Sequence, residues 1–249
     1  MKIYTMKLKV LLFSAMLLFM GKNVLAQEDT TSGSPISIEF DKYELDNGLN
    51  VVLHHDPSDP IVSVAIQYGV GSNREEKGRT GFAHLFEHML FQESENVPQD
   101  QFFKIIQDAG GTLNGGTWQD GTVYYEVVPN NALETVLWLE SDRMIHLNLS
   151  PKSIEVQRKV VIEEFKQRYL NQPYGDAMHK VRDLAFERHP YRWPTIGKHL
   201  DDIYNFTQQD VEEFYNDHYC PNNTILVIAG NVDFELVKSL TEKWFSDVP

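Results

Sequence analysis

The stretch that most constrains this chain is GFAHLFEHMLF, residues 81–91, where three ionisable side chains sit inside an apolar run. At about 3.6 residues per helical turn, His84 and His88 fall four apart on one face, so both imidazoles can reach one metal ion. Glu87 precedes the second histidine and lies on the same side. There it can reach a water at the metal without ligating the ion, which is where a general base belongs. Two histidines at this spacing also arise by chance, but the flanks argue against that here. Phe82, Leu85, Phe86, Met89, Leu90 and Phe91 make the segment apolar nearly all round, so its helix is expected to be buried. Ionisable groups are costly in such a helix unless paired, and a cation such as zinc supplies the pairing.

Catalytic zinc usually takes three protein ligands, so a third must come from elsewhere in the chain. The segment QRKVVIEEFKQRY, residues 157–169, holds adjacent glutamates of which only one can face inward on a helix. Glu163 shares its side with Lys159 and Lys166, a solvated face where charges pair along the helix. Glu164 follows Val160 and Val161 by four and three residues and so lies beside the apolar stripe. Glu164 is therefore the expected third ligand, 76 residues after His88. Histidine and carboxylate donors would also accept manganese or cobalt.

Residues 1–26 read as a secretory signal peptide: Lys2, Lys7 and Lys9 precede an apolar run over 10–20, and Val24, Leu25 and Ala26 end it in a small residue. The run is shorter than the ~20 residues of a spanning helix, so an exported chain, periplasmic or secreted, with no membrane span after signal removal is expected. Residues 27–35 are polar and small, a flexible lead to a domain over 36–249. Without the four lysines of the leader, 18 basic and 36 acidic residues remain, a formal charge of −18 that argues against nucleic acid and anionic membrane as partners. Cys220 is the single cysteine, so no internal disulfide forms, and with no evident base beside it the residue reads as a semi-buried spectator.

Alternation from residue 36 onward predicts a hairpin, with Asn47-Gly48 as its turn, and a third strand over 61–68. A charged loop over 69–81 then delivers the chain to the metal helix. Further helices are expected over 99–109, 131–146, 152–171, 174–186, 207–218 and 234–245, with strands over 122–128 and 224–230 and a Pro-containing loop over 189–197. Helices interrupting groups of hairpin-joined strands favour an α+β domain with a largely antiparallel sheet packed against helices. His54 and His55 are neighbours on a strand and point to opposite faces. They and His146, His179, His189, His199 and His218 read as surface or structural residues.

HLFEH at 84–88, the glutamate in VVIEE, AGGTLNGGTWQDGTVYYEVVP at 109–129 and HYCPNNTILVIAGNVD at 218–233 together resemble the pitrilysin or insulinase family of zinc metallopeptidases, which includes the mitochondrial processing peptidases. The resemblance covers nearly the whole chain after the leader. It implies that His84, His88 and Glu164 hold zinc, that Glu87 activates water, and that Asn114 belongs to an edge strand that binds the peptide substrate by β-augmentation. Read from its own neighbours, Gly115 and Gly116, Asn114 is equally a turn residue. Many active members carry a second glutamate seven residues before the ligand. Here that position is Gln157, on the same face and expected near the site, but unable to act as a base. Members resemble two homologous domains facing each other across a chamber, so a second domain or subunit is an expected partner. The implied function is a zinc endopeptidase acting on peptides or unfolded segments. The alternative is a non-catalytic structural or partner subunit, although such a role has no need of Glu87.

Overall fold

The computed structural model describes residues 37–249. The expected signal peptide and the whole of the flexible lead lie outside the described residues. Over the described chain the order is β1 (Asp41–Glu44), β2 (Asn50–His55), β3 (Ile61–Tyr68), α1 (Phe82–Met89), α2 (Gln101–Asp108), β4 (Thr112–Thr117), β5 (Thr122–Pro129), α3 (Leu133–His146), α4 (Pro151–Phe165), α5 (Ala177–Ala185), α6 (Leu200–Tyr204), α7 (Gln208–His218), β6 (Thr224–Gly230) and α8 (Phe234–Phe245).

The six strands form one sheet in the order β1-β2-β6-β3-β5-β4. Every pairing is antiparallel except β2 with β6, so the sheet is α+β in character as expected, with one parallel seam. The opening hairpin turns at Gly48, whose φ of 89° and close approach to Asn222 both call for a residue without Cβ. Asn47 clamps the same turn to the C-terminal segment by donating to the carbonyls of Phe245 and Val248 at 2.7 and 2.9 Å. Alternation then does the rest. Val62, Val64, Ile66 and Tyr68 on β3 are fully buried while Ile61 and Gln67 face out, so one sheet face carries the core.

Helices α3 and α8 pack together and against the sheet, while α1 packs against α4 and against β4. Ser150 and Pro151 open α4 as the sequence suggested, the serine hydroxyl accepting from Ser153 N at 3.3 Å. The helix expected over 152–171 is regular only to Phe165. It then widens into a π turn over Lys166–Leu170, closed by Asn171 N on Lys166 O at 2.8 Å. Two elements were not expected from periodicity. Strand β4 is too Gly-rich to show a β signature, and α6 spans only five residues. Among the described residues no helix is long and apolar enough to cross a membrane.

Candidate metal centre

Helix α1 is buried as its composition requires, with Phe82, Leu85, Phe86 and Met89 at 2% exposure or less. Phe86 stacks on Phe214 and Tyr215 and meets Tyr219 at a tilt, and Phe82 stacks on Phe206 and Phe214. These rings press the apolar side of α1 into the core and turn the opposite side towards α4. His84 is buried, whereas Glu87 and His88 are partly exposed.

On that side the two helices bring their donors together. Glu164 Oε2 lies 3.2 Å from His88 Nε2 and 3.7 Å from His84 Nε2. The two imidazole rings stand 4.9 Å apart at 74°. One donor atom from each of His84, His88 and Glu164 falls within 4.8 Å of the others, the only such trio of ligand side chains among the described residues. The directions in which His84 and Glu164 are pushed suit a divalent cation, which needs neutral imidazole and ionised carboxylate. Burial holds the His84 imidazolium down, outweighing the opposing pull of Glu164. The His88 ring holds the Glu164 carboxyl below its usual range. Two nitrogens and one oxygen converging on a half-buried space fit zinc in number and kind, leaving room for a fourth, exchangeable position.

Glu87 is half-buried beside this trio and has no ion-pair or side-chain hydrogen-bond partner among the described residues, so its carboxylate is uncommitted. Glu163 points to solvent, where it pairs with Lys166 at 2.5 Å, as the helical argument expected. Lys159 pairs with Glu155 instead. The stripe beside Glu164 is narrower than expected, since Val161 is fully buried but Val160 is 44% exposed. What aims Glu164 inward is its alignment with Val161 and with buried Gln157, seven residues before it. Gln157 borders a cleft with Gln92, Glu93, Gln99 and Ser153, and no hydrogen bond joins it to the trio among the described residues.

Asn114 is in a strand and not in a turn. It is exposed on β4, opposite Tyr125 of β5, with its Oδ1 accepting from Gly115 N at 2.9 Å. Strand β4 pairs on one side only, so it is a free sheet edge running beside α1. Three of the remaining histidines are engaged elsewhere: His54 with Glu39 O, His55 with Val232 O and His146 with Glu95. Cys220 is partly buried against Asn222, and burial raises its thiol pKa.

Two contacts at the centre went unread in the sequence. Arg168, in the π turn, holds Glu164 Oε1 at 2.8 Å, an i,i+4 pairing that was visible in principle. Glu75, placed in a solvated loop by its charged neighbours, is instead 6% exposed against the start of α1. No spacing rule predicts that, because the loop carries it there.

Residues 50–196 match the model of the insulinase family, peptidase family M16, and residues 205–249 match one described as a peptidase M16 inactive domain. All three donors fall in the first match. The zinc protease PqqE of Helicobacter pylori is 31% identical over 249 residues, covering 100% of this chain and 54% of that protein. The crystal structure of a protease from Helicobacter pylori superposes with a TM-score of 0.82 at 33% identity, covering 85% of this chain and 51% of the other. The first half of the periplasmic protease PqqL from Escherichia coli gives 0.75 at 23%, covering 84% of this chain and 46% of that one, and shares the fold. The chain thus spans about half the length of the curated relatives it matches. With more than half of its residues, and all three converging donors, inside the matched segment, the chain belongs to the insulinase family of peptidases, family M16.

Proposed function

We propose that this chain is the catalytic half of an exported zinc endopeptidase that hydrolyses peptides or unfolded segments and works with a second homologous domain or subunit. The observation that carries this reading is the convergence of His84, His88 and Glu164 beside an uncommitted Glu87. A non-catalytic subunit would need no base there. Similarity to proteins named zinc proteases supports the metal, and the half-length coverage supports a second half. Support for export comes from the leader-like composition of residues 1–26.

His84, His88 and Glu164 would hold the ion, with Arg168 steadying the second oxygen of Glu164. Zinc held there supplies Lewis acidity towards the scissile carbonyl and towards water. The substrate backbone extends along the free edge of β4, next to Asn114, in the manner of an added strand. Glu87 takes a proton from the attacking water as its oxygen bonds to the scissile carbonyl carbon. As the C–N bond breaks, Glu87 delivers that proton to the leaving amine nitrogen. Gln157 can donate or accept a hydrogen bond but cannot carry a proton in this exchange.

The test is turnover of a quenched peptide library by the chain combined with its second half, wild type against Glu87→Gln at equal zinc content. A loss of about 10²–10⁴-fold is expected from removing the base. Equal, negligible turnover by both, with zinc bound, would leave the non-catalytic subunit in its place.

A further inference from the structure

We infer that Glu75 is a positioning residue for the metal helix: its carboxyl group caps the first turn of α1 and thereby sets the direction in which His84 projects. The inference rests on the reading of His84, His88 and Glu164 as metal ligands.

Helix α1 starts at Gly81, in the left-handed conformation with φ 104°, and Gly81 has no side chain to cap the leading N–H groups. A Cβ there would meet Ile196 O at 2.8 Å, so a Ser, Thr or Asp cap is sterically barred as well. The acceptor comes instead from six residues upstream, where Glu75 Oε1 takes the N–H of Ala83 at 3.0 Å. Ala83 immediately precedes His84, so this bond holds the peptide unit one step before the first ligand. Helix α1 has eight residues, about two turns, and both imidazoles stand on it, so displacement of its first turn is passed to His84 with little to absorb it.

Glu75 is an unusual residue to find in this place for packing alone. It is nearly fully buried, its Oε2 has no partner among the described residues, and burial pushes its carboxyl up to about 8. The surrounding chain holds it there at several points. Trp193 Nε1 donates to Ser72 O at 2.8 Å, anchoring the turn that precedes Glu75. Thr80 Oγ1 donates to Asp202 at 2.5 Å and accepts from Lys198 N at 2.7 Å, anchoring the chain just before Gly81. Between these anchors the Glu75 carboxyl accepts from Ala83 N.

The role is separable from general structural support by comparing Glu75→Gln, which keeps an acceptor, with Glu75→Ala and Glu75→Met, which do not; Met keeps the bulk should Ala fail to fold. The readouts on the full chain are the visible absorption spectrum of bound cobalt(II) and the cobalt dissociation constant. Expected are a shifted spectrum and about 10–100-fold weaker binding without the acceptor, as for supporting partners of metal ligands generally, with both restored in Glu75→Gln. A folded Glu75→Met or Glu75→Ala protein with the wild-type spectrum and affinity would overturn the inference. So would Glu75→Gln behaving like Glu75→Met. Failure of the wild-type chain to bind cobalt stoichiometrically is a distinct result, which would overturn the metal-site reading and the positioning role with it.

Discussion

His88 and Glu164, on two different helices, face each other with Nε2 and Oε2 3.2 Å apart. The contact exists because α1 and α4 pack side by side, each turning its polar positions towards the other. A histidine pair on one short helix is joined by a carboxylate whose position depends on the packing of the whole domain.

Removing either member of that pair should release the metal. His88→Ala and Glu164→Ala are each expected to fall from about one zinc per chain to near none after dialysis, measured by atomic absorption, because two donors remain where a stable site needs three or four. Glu163→Ala is the control. It loses only an exposed ion pair with Lys166 and should keep its zinc, with stability changed by no more than about 0.5 kcal/mol.

Substrate held along β4 should be sensitive to its own backbone N–H groups. Peptides methylated at alternate amide nitrogens are expected to show KM raised about tenfold, the equivalent of one or two ladder hydrogen bonds. Methylation in the other register should be nearly silent, since those amides face away. Equal effects in both registers would count against strand addition.

Glu75 predicts a pH effect with a definite sign. Its folded carboxyl is raised to about 8 from an ordinary 4.5, so the native state binds the proton more tightly than the unfolded one. The stability this provides is complete below about pH 4.5 and is lost as pH rises through 8, amounting to a few kcal/mol at most. Urea denaturation of the metal-free protein between pH 5 and 9 should therefore show wild type weakening relative to Glu75→Gln. Parallel profiles would contradict the burial of an ionisable carboxyl there.

Arg143 is buried at 1% exposure, paired with Glu140, 3.7 Å from Glu126 and set over the rings of Phe102 and Tyr124. Arg143→Met leaves Glu140 buried without its counter-charge and is expected to cost about 3–5 kcal/mol in urea denaturation. Adding Glu140→Leu should recover much of that loss, because the orphaned carboxylate is then gone. The coupling between the two substitutions is the quantity to measure.

Local patterns made several elements readable before the fold was known. The hairpin at Asn47 and Gly48, strand β3, the helix start at Ser150 and Pro151 and the buried α1 each depend on residues within one or two turns of each other. Strand β4 was not readable from local pattern and entered only through the resemblance, since Thr112 to Thr117 has little β propensity and is a strand because β5 and α1 border it. The same applies to Val160, whose exposure depends on what lies across from α4 and not on its place in an apolar stripe.

By itself, the sequence determined that His84, Glu87 and His88 share one side of a buried helix and that Glu164 turns inward where Glu163 does not, because helical spacing fixes which side chains share a face. Tertiary structure alone decided that α4 lies against α1, that β4 runs beside α1, and that Glu75 leaves its charged loop to cap the helix carrying His84 and His88. Those relationships join residues far apart in the chain. They follow from which surfaces the packed domain brings together, and no local period encodes that.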